Sequence, residues 1–285
     1  MRQKVILTAA VNGASLRKAQ NSAVPEQPAE IGRDAEACWN AGAAVVHYHI
    51  RDREGAPCCS PRILSEINDQ VAARCPIITQ ASTAPLRAVE ESLELFQAPH
   101  LPEMMTMAFG LMHLCTPDKQ VLYPCTRPFL HHFLQEMVTR GVKPELEILN
   151  GASADDALAL VGQADCLTAP LSATLPMGQP MQGIRAFDVD YLLHTLRRFP
   201  PGSQLSAACA GPRNLEAMTF TLLMGGNARV GMEETPFYQE GQPAKSNAQL
   251  VERAVRIIHE LGLEVASPDE ARTLLDLPHP SEKGV

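Results

Sequence analysis

The sequence predicts a single-domain (β/α)8 barrel across residues 1–285, and three observations carry that prediction. Short runs rich in Val, Ile, Leu and Ala alternate with amphipathic stretches along the chain. Such alternation implies right-handed crossovers and a parallel sheet buried on both faces. About eight strand–helix units fit the roughly 250 residues that a closed barrel of this type needs. The turn after the first strand reads VNGAS and lacks the GxGxxG spacing of an open dinucleotide-binding sheet.

The first strand is expected at 5–11, an apolar run too short for the core of a secretory signal. A helix at 29–42 follows, with Gly42 as its stop. The second strand, 43–50, precedes a helix at 62–74; the third, 76–82, precedes a helix at 88–96. After a fourth strand at 104–109 the stretch 110–130 carries Pro117, Pro124 and Pro128 and reads as an insertion. A helix at 131–141, a strand at 145–149, a helix at 155–164 and a strand at 166–171 come next. Then follow a helix at 189–199, a strand at 205–210, a helix at 214–226, a strand at 228–232 and a helix at 247–262. Ser267 and Glu270 form the Ser-x-x-Glu capping box of a last short helix at 267–277.

Composition narrows the class. Hydrophobic residues are 45% and charged residues 20%, ordinary for a soluble globular enzyme with a sizeable core. A formal net charge of −8 and no basic run argue against nucleic acid or an anionic membrane as partner. No apolar stretch approaches the ~20 residues needed to span a bilayer. Eight scattered cysteines without a CxxC pair suit a reduced, cytoplasmic protein, and the adjacent Cys58 and Cys59 read as surface-loop thiols.

The stretch GAAVVHYHIRDREG (42–55) is chemically the most pointed. His47 and His49 are spaced i, i+2, so in a strand they share a face, here near the C-terminal end where barrels do their chemistry. Two imidazoles ~6–7 Å apart on one strand can converge on a zinc-type ion or form a hydrogen-bonded pair at the rim. In NARVGMEETP (227–236) the eighth strand runs into Glu233 and Glu234, with Arg229 just before; this is a further ligand plus an Arg-paired carboxylate, or a solvated acidic turn. Glu145 and Glu147 in KPELEILN would cost several kcal/mol in a buried strand unless paired.

The chain resembles the β-keto acid cleavage enzymes, the family typified by 3-keto-5-aminohexanoate cleavage enzyme. The resemblance rests on ILTAAVNGA (6–14), AGAAVVHYHIRDREG (41–55), ITQAST (78–83), PEMMTM (102–107), KPELE (143–147), GGNARVGMEE (225–234) and SNAQLVERAVRI (246–257), in that order. It implies a zinc-dependent barrel, usually a homo-oligomer (dimer or tetramer), that converts a β-keto acid and acetyl-CoA into acetoacetate and a new acyl-CoA. It places Zn2+ on His47, His49 and Glu233, and substrate- and transition-state-contacting groups at Ser82, Thr106, Glu147 and Arg229. Glu234 stands at the position of the family's Asp, which works with the Arg in proton transfer.

Several positions depart from the family pattern. Its STGG reads Ser82-Thr83-Ala84-Pro85, a small hydroxyl position after the PEM strand is Leu111, and its GGH reads Gly225-Gly226-Asn227. The Glu-Asp pair reads Glu233-Glu234, one methylene longer, an offset of ~1 Å that matters for a proton acceptor. Where the 3-keto-5-aminohexanoate enzyme carries an acid, this chain carries Ser15, a substrate-contacting position that would not hold an ammonium group. The expected substrate is therefore a neutral, polar or anionic β-keto acid. Competing readings are a metal-dependent aldolase- or hydrolase-type C–C lyase without CoA, and a non-catalytic metal-binding barrel.

Overall fold

The computed structural model describes residues 4–83, 88–116, 119–161, 167, 169–179 and 184–278. The barrel strands are β1 (Leu7–Ala10), β2 (Val45–Tyr48), β3 (Ile78–Ala81), β4 (Met104–Thr116), β5 (Lys143–Ile148), β6 (Ser172–Met177), β7 (Gln204–Cys209) and β8 (Ala228–Val230). They pair in parallel in the order β8-β1-β2-β3-β4-β5-β6-β7. Asn227 draws the remaining seam together. Its backbone N–H donates to the Leu205 carbonyl at 2.7 Å, its Oδ1 accepts from Ile6 N–H at 2.9 Å, and its Nδ2 donates to Gln204 Oε1 at 3.0 Å. The barrel is thereby nearly closed, as the strand–helix alternation predicts.

Around it lie α1 (Pro28–Asn40), α2 (Pro61–Ala72), a 3-10 helix (Val89–Gln97), α3 (Arg127–Thr139), α4 (Gly151–Leu160), α5 (Val189–Leu196), α6 (Asn214–Leu223), α7 (Asn247–Glu260) and α8 (Pro268–Leu275). Their start signals are local. Ser60 accepts from Ile63 N–H ahead of Pro61, Ser246 from Gln249 N–H, and Ser267 and Glu270 form the expected reciprocal capping box. Among the described residues no helix is long and apolar enough to cross a membrane.

Three expectations are corrected. The sixth strand lies at Ser172–Met177 rather than 166–171, a range only partly within the described residues. The segment expected as an α-helix at 88–96 winds as a 3-10 helix. The stretch 110–130 is a hairpin continuous with the barrel: β4 runs on to Thr116 and pairs antiparallel with Lys119–Cys125, while Pro128 already lies in α3. Leu111 sits on that hairpin opposite Pro124 and is 60% exposed; Ala84 and Pro85 lie outside the described residues.

Period-two alternation sorts the strands into two faces. Outward residues such as Leu7, Val46, Met105, Leu146 and Leu205 pack under the helices in one large core. Inward residues divide by height. At the N-terminal end Ile6, Val45, Ile78 and Met104 form an apolar floor against Ala271 and Leu275 of α8. Arg272, also on α8, is 2% exposed and holds both carboxylate oxygens of Glu103 at 2.8 Å. One pleat higher, the inward set turns polar and buried: Thr8, Gln80, Thr106, Glu145, Ser172 and Arg229. The barrel is thus plugged at one end and chemically equipped toward the other.

Candidate metal centre and active site

The register explains how distant residues meet. His47 pairs with Ala10 and Gln80, and Arg229 with Thr8, so the last strand lies beside the first and two strands from the histidines. His47 is fully buried and His49 is 8% exposed, with ring centroids 5.4 Å apart and the planes at 77°. Glu233 follows β8, where its N–H donates to Ala10 at 3.1 Å. Its carboxylate lies between the two rings: Oε2 is 3.3 Å from His47 Nε2, and Oε1 is 3.2 Å from His49 Nε2. The close fit requires Gly13 (φ +62), because a β-carbon there would sit 2.8 Å from Glu233 Cγ.

Each of these three side chains presents one ligand atom within 4.8 Å of the others. His47 Nε2 and Glu233 Oε2 are buried without a hydrogen-bond partner, an arrangement costly by itself and relieved by a shared cation. Two imidazoles and a carboxylate are a donor set that suits zinc with an open coordination position. Burial first, and then the Arg229 charge, hold the His47 imidazole down to about 3, so it is neutral with a lone pair to offer. Burial alone would raise the Glu233 carboxyl, but the Arg229 guanidinium and the hydrogen bond from the His49 ring hold it well below the usual range.

Arg229 joins this cluster to a second carboxylate. Its side chain is 3% exposed, with Nη2 3.2 Å from Glu233 Oε1 and Nε donating to Glu234 Oε1 at 2.7 Å. Burial opposes the Arg229 charge, yet Glu233, Glu234 and Glu145 raise its pKa above the usual arginine value. The Glu234 side chain is fully buried, and burial raises its carboxyl despite the guanidinium. Its Oε2 has no hydrogen-bond partner. The longer side chain therefore still reaches Arg229 and leaves one oxygen open.

The other expected site residues fall at varying distances from this centre. Glu147, next to Ala108 and Thr174 in register, is partly exposed, yet desolvation raises its carboxyl to about 7 against the pull of Arg229. Thr106 and Ser82 are buried at 1% and 6% exposure on β4 and just past β3. Ser15 is exposed in the loop after β1 and is not drawn into the cluster. That loop is held by Arg51, fully buried, whose Nη2 donates to the carbonyls of Asn12 (3.1 Å), Gly13 (2.5 Å) and Leu16 (2.6 Å).

Sequence reasoning passed over Asn12, Arg51, Gln80 and Asn247. Gln80 was legible: two residues before Ser82 on the same strand face, it is the inward neighbour of His47. The others act on backbone groups, which leave no spacing signature. The described cysteines Cys38, Cys58, Cys59, Cys75, Cys125 and Cys209 carry free thiols.

Comparison with known proteins gives the same architecture and a family. The chain is 34% identical over 279 residues to the 3-keto-5-aminohexanoate cleavage enzyme of Fusobacterium nucleatum, covering 97% of this chain and 99% of that one. It is 29% identical over 284 residues to the 3-oxoadipate:acetyl-CoA acetyltransferase of Cupriavidus necator, covering 98% and 96%. In fold it is similar to a solved structure of ObcA with oxaloacetate, with a TM-score of 0.75 at 18% identity, covering 92% of this chain and 69% of that one. The sequence profile of the beta-keto acid cleavage enzymes matches residues 4–277, and this chain, an enzyme of acyltransferase type, belongs to that family.

Proposed function

We propose that the protein is a zinc-dependent β-keto acid cleavage enzyme, converting a β-keto acid and acetyl-CoA into acetoacetate and a new acyl-CoA. The observation that carries this reading is the convergence of His47, His49 and Glu233 beside the buried Arg229–Glu234 pair. Relatives named as acetyl-CoA acyltransferases favour thioester chemistry over a CoA-independent lyase. Zinc bound by the three ligands would act as a Lewis acid at the keto oxygen, drawing charge onto it.

The chain's own groups supply the rest. Arg229 fixes Glu234 through Oε1, so Oε2 takes the proton from the carbon between keto and carboxylate groups, and burial makes that carboxylate basic enough to do so. The resulting carbanion attacks the thioester carbonyl and CoA thiolate departs. Return of the thiolate to the original keto carbon breaks the C–C bond and gives the new acyl-CoA, and Glu234 hands its proton back to the departing carbanion, which leaves as acetoacetate. Glu147, near neutrality in its affinity for a proton, and the hydroxyls of Ser82 and Thr106 position the substrate.

The substrate is a neutral, polar or anionic β-keto acid, because exposed Ser15 offers no carboxylate to an ammonium group. We assign the protein to the reduced cytoplasm as a self-associating dimer or tetramer, in line with the exposed Leu223 (55%) and Met224 (45%) at the end of α6. A panel of β-keto acids with and without acetyl-CoA, read as acetoacetate, tests the activity. Thioester-independent turnover overturns the acyl-transfer reading, and a preference for 3-keto-5-aminohexanoate by kcat/KM overturns the substrate class. Glu233→Gln should lose zinc and turnover together, whereas full zinc content with full turnover removes Glu233 from the site.

A further inference from the structure

Three buried side-chain amides stand behind the three candidate ligands, one behind each. Gln80, 1% exposed, faces His47: its Oε1 lies 2.9 Å from His47 Nδ1. Its amide nitrogen faces the Glu145 carboxylate, which also accepts from Ser172 Oγ at 3.0 Å. With its nitrogen turned to Glu145 and to Met104 Sδ (3.9 Å), the amide presents Oε1 to accept a proton carried on His47 Nδ1, which leaves Nε2 unprotonated toward Glu233.

Asn12, fully buried, holds His49 by its backbone. Its Oδ1 accepts from His49 N–H at 2.8 Å, and its Nδ2 donates to the His49 carbonyl at 3.1 Å and to Pro25 at 3.1 Å. One amide thus takes over where the β1 ladder ends, its last bond to this strand being Val11 N–H to the His47 carbonyl at 3.0 Å. Asn247, also fully buried, braces the Gly231–Met232 peptide, one residue ahead of Glu233. Its Oδ1 accepts from Met232 N–H at 2.7 Å, and its Nδ2 donates to the Val11 carbonyl at 2.9 Å and to Asp34 Oδ2 at 2.7 Å.

We infer that Gln80, Asn12 and Asn247 are positioning residues that together set the geometry of the His47–His49–Glu233 centre. A neutral amide orients a ligand without adding negative charge next to it. The cluster therefore keeps more of the bound cation's charge for an anionic substrate than a layer of carboxylates would allow. The inference rests on the zinc reading above, and its test separates the two. Outer partners of metal ligands are typically worth about 10–100-fold in metal affinity.

Zinc affinity of the full chain is measured by competition with a chromophoric chelator for wild type, Asn12→Ala, Gln80→Met and Asn247→Ala. Asn227→Ala serves as control, since it removes a buried, equally well-bonded amide at the barrel seam. The expected result is a loss of about 10–100-fold in each of the first three, with Asn227→Ala lowering Tm but not affinity. Wild-type affinity in all three, or an equal loss in Asn227→Ala, overturns the inference. Wild-type protein that binds no zinc overturns the metal reading itself. Should the variants be insoluble, imidazole 15N spectra of zinc-free wild type decide instead: His47 as the Nδ1–H tautomer supports the inference, and the Nε2–H tautomer overturns it.

Discussion

Replacing Arg229 by Met keeps an apolar stem of similar length and deletes the guanidinium that touches both Glu233 and Glu234. The side chain is 3% exposed, so water cannot take over. Glu233, Glu234 and Glu145 would be left buried around an uncharged thioether. Removing one partner of a buried ion pair costs about 3–5 kcal/mol. In a chain of this size that corresponds to a fall in Tm of roughly 10 °C. Turnover should fall by a further ~10²–10³-fold, because the proton acceptor loses the contact that orients it. Thermal unfolding of the zinc-free protein isolates the first effect, and kcat of the zinc-loaded protein the second. Adding Glu234→Gln should recover part of the Tm, since it removes one stranded charge, while kcat stays low. A single variant that melts within a degree of wild type, or a double variant that regains activity, would refute this account of the pair.

Glu234→Asp restores the family's usual residue, but the carboxylate would withdraw from Arg229 Nε, now 2.7 Å away, so kcat should drop about 10–100-fold; a rise would mean that the glutamate is the poorer fit. Asp34, on the far side of Asn247 from Glu233, makes a pH prediction. Burial raises its carboxyl from 3.8 to about 7 despite the hydrogen bond from Asn247. The protonated acid is therefore favoured in the folded state, and its stabilisation is complete below pH 3.8 and lost as pH rises through 7. Asp34 is partly exposed, and Lys18, Glu30 and Arg33 line the same recess, so screening reduces the nominal ~4 kcal/mol to about 1–2 kcal/mol. Asp34→Asn should raise Tm at pH 8 and leave it unchanged at pH 3.5; an equal gain at both would rule out the carboxylate as the cause. Gly231→Ala should be poorly folded, losing more than about 3 kcal/mol, because at φ +150 its β-carbon would lie 2.0 Å from the Ala10 carbonyl. A soluble variant with wild-type Tm would show that β8 does not pack on β1 as described.

The sequence by itself determined the strand–helix alternation and, through period two, that His47 and His49 share a face. It also placed two acids and an arginine at the end of the last strand, and these five side chains do meet. Its error over the sixth strand has a clear origin. A run apolar on both faces, such as CLTAPL, reads as a buried strand, but the upper interior of this barrel is polar, so the true strand SATLPM turns Ser172 and Thr174 inward. Only the tertiary structure decided which polar residues are buried, because that depends on closure: β8 must reach β1 before Arg229 and Glu233 approach the histidines. The same holds for Asn12, Arg51 and Asn247, whose partners are mostly backbone groups on other elements. Spacing records which way a side chain points, whereas carbonyls and amides brought near by a closed sheet carry no residue type for a sequence to display.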